Sequence, residues 1–145
     1  MNFFFNFFFI LFFVISYHSF CQPNFLSKNK KANKLYYEGV SFSKIGEFEL
    51  ALDKYNKSIK SDPNFALPYI NLGEIYKKRG NYSKAISVFR NVLNNKLNYD
   101  LDKLNYMIGE LYFFSGEYLN SKTYLNKVKN PILTDRRDKF LDNIN

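Results

Sequence analysis

Tyr69-Ile70-Asn71-Leu72-Gly73-Glu74-Ile75-Tyr76, followed by Gly80-Asn81-Tyr82 and then Ala85, Phe89 and Val92, is a pattern that this chain uses more than once. Moved back by 34 residues, it places Gly39, Gly46, Ala51 and Tyr55 on Gly73, Gly80, Ala85 and Phe89. Moved forward by 36, it brings Gly109, Tyr112, Gly116, Tyr118, Leu125 and Val128 into the same roles. Small residues at fixed offsets inside helical apolar patterns mean that one helix–turn–helix unit occurs three times and stacks on itself. The expected fold is all-α, a right-handed α-solenoid of three helix-turn-helix repeats plus a C-terminal capping helix.

Working outward, Leu35, Gly39, Phe42 and Ile45 form a stripe at three- and four-residue spacing from about Ala32, and Gly46 ends that helix. A second helix runs from Phe48 to Ser61, where Asp62-Pro63 stops it, because the residue before a proline avoids the helical region. Asn64 is the expected cap of a helix from Phe65 to Arg79, with Pro68 tolerated in its first turn. Further helices are expected at Tyr82 to Asn95, Leu101 to Ser115 and Tyr118 to Val128, with the two extra residues absorbed in the loop at 94–98. The repeats thus occupy about 32–65, 66–99 and 100–133. Pro131 breaks the chain, and Thr134 with Asp135 opens the capping helix, placed at 134–145, which covers the apolar end of the stack with Leu133, Phe140, Leu141 and Ile144.

The N-terminal segment is of another kind. Phe3 to Tyr17 is apolar apart from Asn6 and Ser16, and no charged side chain precedes Lys28. As a helix it covers about 22 Å, short of the roughly 30 Å hydrocarbon core, so residues 1–21 read as a signal peptide. Ser19 and Cys21 supply small residues at the two positions a signal peptidase reads before Gln22. The alternative is an uncleaved anchor: no basic residue precedes the apolar run, and Lys28, Lys30, Lys31 and Lys34 follow it, which would hold the repeats on the cytoplasmic side. Lipid attachment at Cys21 ranks third, since Phe20 stands where a small residue is needed. Residues 22–31, polar with one proline, read as a flexible linker.

These residues resemble the tetratricopeptide repeat: Leu35, Gly39, Phe42, Ala51, Tyr55 and Pro63 in the first unit, Tyr69, Leu72, Gly73, Tyr76, Ala85 and Phe89 in the second, and Ile108, Gly109, Tyr112 and Leu125 in the third. Leu97 and Ser121 depart from the pattern, which more often has proline and alanine there. The resemblance implies a concave face, built from the first helix of each unit, that binds a segment of another protein. By repeat position that face carries Asn33, Tyr36, Val40 and Ser43; Leu67, Ile70, Glu74 and Lys77; and Lys103, Tyr106, Glu110 and Phe113. Two readings of the column Tyr36, Ile70 and Tyr106 stay open: anchors for a partner flanked by the carboxylates Glu74 and Glu110, or packing between neighbouring helices. Family members that clamp the carboxylate tail of cytosolic chaperones use five polar residues; Asn71 and Lys103 match two of them, while Tyr36, Val40 and Met107 replace the rest.

Composition narrows the chemistry. Cys21 and His18 are the sole cysteine and histidine and both lie in the N-terminal segment, so once that is removed, thiol and imidazole chemistry and Cys/His metal sites are excluded. Glu74 and Glu110 stand one helix-pair step apart, about 10 Å, at the edge of the range for paired carboxylates, and no phosphate loop or nucleophile motif occurs. Neither an enzymatic activity nor a cofactor nor a metal is expected. The net charge of +8 comes from a chain in which Phe, Ile, Asn, Lys and Tyr exceed half of all residues, a bias of AT-rich coding, and so points weakly to anionic partners. Lys54, Lys57 and Lys60 with Lys77, Lys78 and Arg79 read as a solvated face, with no nucleic acid expected. Membrane contact is expected if the N-terminal segment is retained, and a basic surface that binds anionic membrane or nucleic acid ranks below both readings of the scaffold. The reading is an exported protein-binding scaffold (periplasm, cell envelope or secreted), with a membrane-tethered cytoplasmic adaptor as runner-up.

Overall fold

A computed structural model describes residues 25–144. Among these the chain forms seven helices and no strand: α1 Lys30–Lys44, α2 Phe48–Ser61, α3 Ala66–Lys78, α4 Tyr82–Asn94, α5 Leu101–Phe114, α6 Tyr118–Leu125 and α7 Pro131–Asp142. The helices pack as the pairs α1/α2, α3/α4 and α5/α6, each pair resting on the next through α2/α3 and α4/α5. The fold is an α-solenoid, and the expected signal peptide and anchor at 1–21 lie outside the described residues.

The turns inside the pairs follow from their glycines. Gly80 has φ +69°, where other residues are strained, and this lets the Asn81 N–H reach back to the Tyr76 carbonyl (2.9 Å) and close the last turn of α3. Between the second and third pairs Lys96 takes the left-handed conformation instead (φ 50°), and the Leu97 N–H bonds the Val92 carbonyl (3.0 Å). Leu97 is then turned inward and buried, so it fills by packing the place where a proline is usual.

Ser121 is the other departure. Its side chain is buried, and its hydroxyl donates to the Gly109 carbonyl at 2.8 Å, so a polar group sits in the α5/α6 seam without an unmet bond. Ser58 does the same between α2 and α1, donating to the Ala32 carbonyl at 2.8 Å. The apolar core runs through Ala85, Phe89, Val92, Leu104, Ile108 and Leu111, with a second cluster of Ala51, Tyr55, Leu72 and Ile75 under the first pair.

Several boundaries differ from expectation. Asn64 does not cap α3: Phe65 holds the cap position with no side-chain bond, and its ring, buried against Tyr36 (5.2 Å between centroids), anchors the helix start instead. Pro131 does not break the chain but opens α7 at its first position, after Asn130, whose side chain accepts from the Ile132 N–H at 3.0 Å. The capping helix therefore spans 131–142 and rests on α5 and α6, with the Phe140 ring on Tyr106 and Phe113; Leu133, Phe140 and Leu141 are all only half-buried. Residues 25–31 are not a free linker: α1 begins at Lys30, capped by Asn29, and the residues before it are bonded to Ser61 and Asp62 at the end of the first unit.

Candidate functional site

The first helices of the three pairs, α1, α3 and α5, carry the expected inner face, and each candidate residue can be placed on it. Asn33, in the first turn of α1, turns its amide to the chain's own backbone: Nδ2 donates to the Ser27 carbonyl (2.6 Å) and Oδ1 accepts from the Ser27 N–H (3.0 Å). Tyr36 is half-buried, with its ring against Phe65, Tyr37 (5.2 Å) and Tyr55 (6.1 Å). Ile70 is only 6% exposed and belongs to the core cluster that α3 shares with α4 and α5. This corrects its placement among groove contacts: a side chain so buried in the core leaves almost no surface for a partner. Tyr106 and Phe113, at the far end, are covered by Phe140 of α7, with ring centroids 6.1 and 4.9 Å away. Both ends of the inner face are thus occupied by the chain itself.

Charge on this face is largely paired internally. Lys77 of α3 and Glu110 of α5 form an ion pair at 29% and 16% side-chain exposure, bridging the second and third units. Lys103 lies exposed with its ammonium 5.8 Å from the centre of the Tyr99 ring. Glu74 is different: half-buried, it makes no ion pair among the described residues.

What remains open is the cleft between α1 and α3. It has a volume of about 280 Å³ and is lined by Val40, Ser43, Tyr55, Asn71, Glu74 and Ile75, with Lys44 and Lys78 at its rim. Asn71 holds its floor in shape, because Nδ2 donates to the hydroxyls of Tyr55 (3.2 Å) and Tyr36 (3.5 Å). Burial raises the pKa of both phenols above the ordinary tyrosine value, and the Asn71 bond partly offsets this. They stay neutral donors and acceptors at physiological pH. The cleft offers an apolar wall, a fixed amide, a hydroxyl and one carboxylate that makes no ion pair among the described residues. Such a set can hold a side chain that is apolar along its length and basic at its tip.

Of the expected groove residues, Val40 and Glu74 line this cleft and Lys77 pairs with Glu110 beside it; sequence position missed Asn71 as an organiser, because its bonds run to Tyr36 and Tyr55 on two other helices. Phe25 and Tyr99, whose rings meet at 5.7 Å, were also missed, since neither belongs to a repeated helix position. Among the described residues no cluster of three His, Cys, Asp or Glu could hold a metal ion, and no helix is long and apolar enough to cross a membrane.

Comparison with known proteins gives repeat matches along the described chain. A TPR repeat model matches residues 39–80, and two tetratricopeptide repeat models match 69–101 and 102–130. The uncharacterized protein ycf37 of Guillardia theta is 32% identical over 75 residues, which are 50% of this chain and 42% of that protein. The matched part is thus less than half of the relative's length. In shape the chain is similar to the N-terminal domain of stress-induced protein-1 (STI-1) from C. elegans, with a TM-score of 0.70 at 15% identity, covering 79% of this chain and 98% of that domain. The first TPR of Spaghetti (RPAP3), bound to the HSP90 peptide SRMEEVD, gives a TM-score of 0.68 at 21% identity over 81% of this chain and 95% of that one. Its second TPR, bound to the same peptide, gives 0.60 at 25% identity over 69% and 91%.

Proposed function

Residues 39–130 are built of tetratricopeptide repeats, and from this premise we propose that the chain is a non-catalytic scaffold that holds a segment of a partner protein in its concave face. The observation that carries the reading is the α1/α3 cleft, with Glu74 left unpaired on a face whose other groove carboxylate, Glu110, is neutralised by Lys77. The partner segment inserts an aliphatic or basic side chain between Val40 and Glu74, and its polar groups meet Ser43 and the cleft rim. Structural neighbours that bind a peptide support a peptide-sized occupant. The acidic chaperone tail in those neighbours is a poor match here, because Asn71 is committed to two tyrosines and Val40 takes a place where the clamp needs a polar group.

Export is part of the proposal, resting on the apolar run Phe3 to Tyr17 and the small residues before Gln22. The lysines at 28, 30, 31 and 34 favour the second reading, a membrane-tethered adaptor with its repeats in the cytoplasm. Intact-mass analysis with N-terminal sequencing of the protein from its native cell separates them: a soluble species beginning at Gln22 supports export, and a membrane-bound species retaining the apolar run supports the tether. The binding claim is tested by affinity capture from the matching fraction with wild-type chain, Glu74→Lys and Val40→Asp. Loss of the same captured protein in both variants, with helicity unchanged, supports the cleft. Capture unchanged in both sinks it.

A further inference from the structure

The residues that precede α1 do not lead away from the solenoid but lie on it, and each contact is specific. The Asn33 amide grips both the N–H and the carbonyl of Ser27, as one strand grips another, so the backbone is held whatever side chain it carries. The Ser27 hydroxyl bonds the Asp62 carboxylate in the loop between the first and second units, and also accepts the Asn29 N–H at 2.8 Å. Asn29 Nδ2 donates to the Ser61 carbonyl at 2.8 Å. Two residues before Ser27, the Phe25 ring packs on Tyr99 in the loop between the second and third units. The segment therefore reaches from the first unit to the loop before the third, past Phe65 and Asn98, along the edge where α1, α3 and α5 begin.

These are the features of a bound peptide, here one that bends at Leu26 and Lys28: a backbone clasp, a hydroxyl read by a carboxylate, and an aromatic anchor two residues away. We propose that residues 25–29 are an internal ligand of this edge, and that the edge is a binding site for a short, bent segment with an aromatic residue two positions before a serine. The inference does not depend on the α1/α3 cleft being the partner site. Its consequence for any partner is direct, because a segment that uses Asn33 or Tyr99 must first displace residues 25–29. A tether holds the internal segment at an effective concentration on the order of millimolar, so a displacing partner must bind better than that, or at several places at once.

The first measurement uses the full chain alone. Amide hydrogen exchange reads Ser27 and Asn29 in the wild type, in Asn33→Ala and in Phe25→Ala, the second substitution being clear of the first turn of α1. Protection of the Ser27 amide in the wild type, falling about tenfold or more in both variants while the Tyr55 and Phe89 amides stay protected, supports the docked segment. A synthetic peptide copying residues 25–31 is then added to the wild type and to the double variant Phe25→Ala/Ser27→Ala. Shifts in the NMR signals of Asp62 and Tyr99 in the variant, at concentrations that leave the wild type unmoved, show that the edge takes a ligand its own segment had been filling. Exchange of the wild-type Ser27 amide at the rate of an unstructured peptide overturns the proposal, as does a peptide that shifts both chains alike or neither.

Discussion

The ring of Phe89 in α4 lies in the space that a Cβ on Gly73 of α3 would need. The same relationship holds in the other pairs, where a Cβ on Gly39 would meet Tyr55 at 2.6 Å and one on Gly109 would meet Leu125 at 2.7 Å. Each pair of helices is thus joined by a large side chain laid on the bare backbone of its partner. Replacing Gly73 by Ala forces the buried Phe89 ring out of a packed core, an overpacking that costs about 1–3 kcal/mol. Urea unfolding should show a lower midpoint of that size, with the slope unchanged; a variant as stable as wild type would show that α3 and α4 can part without cost.

That relationship explains why the repeats were readable. Gly73 and Phe89 stand sixteen positions apart, Gly39 and Tyr55 likewise, and Gly109 and Leu125 again, so a contact between helices appears in the sequence as a spacing. The candidate site was less legible. Ile70 and Tyr106 occupy equivalent positions, yet Ile70 is buried in the core cluster and Tyr106 meets Phe140, a residue of a helix outside the repeat. Pro131 was ambiguous because a proline that follows a helix and one that begins the next look identical. The segment before α1 reads as a tether because Ser, Asn and Lys compose tethers too; only its bonds to Asp62 and Ser61, more than thirty residues on, distinguish it.

Lys77 and Glu110 hold the second and third units together across the inner face. Both are partly exposed, so the pair is worth little more than a good surface ion pair, about 0.5–1 kcal/mol. A double-mutant cycle with Lys77→Ala and Glu110→Ala should return a coupling energy of that order, shrinking as salt is raised. A coupling of zero at low salt would mean that the two units are joined by the apolar core alone.

Asn105 is a place where the chain can be improved. It sits at the repeat position taken by Leu35 and Tyr69 in the other units, is nearly fully buried, and leaves its Oδ1 without a hydrogen-bond partner. A buried unmet acceptor costs about 1–3 kcal/mol, so Asn105→Leu, which removes it at similar volume, should stabilise the chain by about 1–2 kcal/mol. Thermal melts should show the gain as a rise of several degrees in Tm. A fall in Tm would show that the amide is satisfied in solution, by water for example.

Tyr36 and Tyr55 make stability depend on alkaline pH. Burial raises both pKa values in the folded chain, while the Asn71 bond lowers them in part and nearby tyrosines add to the rise. The unfolded chain releases these protons first, near the ordinary value of about 10. The contribution of the neutral phenols is therefore complete below pH of about 10 and is lost as pH climbs through the raised folded values. Denaturant midpoints should hold steady from neutral pH to about 10 and then fall. Tyr36→Phe keeps the ring on Phe65 and removes one titrating hydroxyl, so its midpoint should fall less steeply over that alkaline window, although it loses the weaker of the two Asn71 bonds at neutral pH. If wild type and Tyr36→Phe decline in parallel, the Tyr36 phenol is not held neutral by its burial, and the floor of the α1/α3 cleft is wetter than its packing indicates.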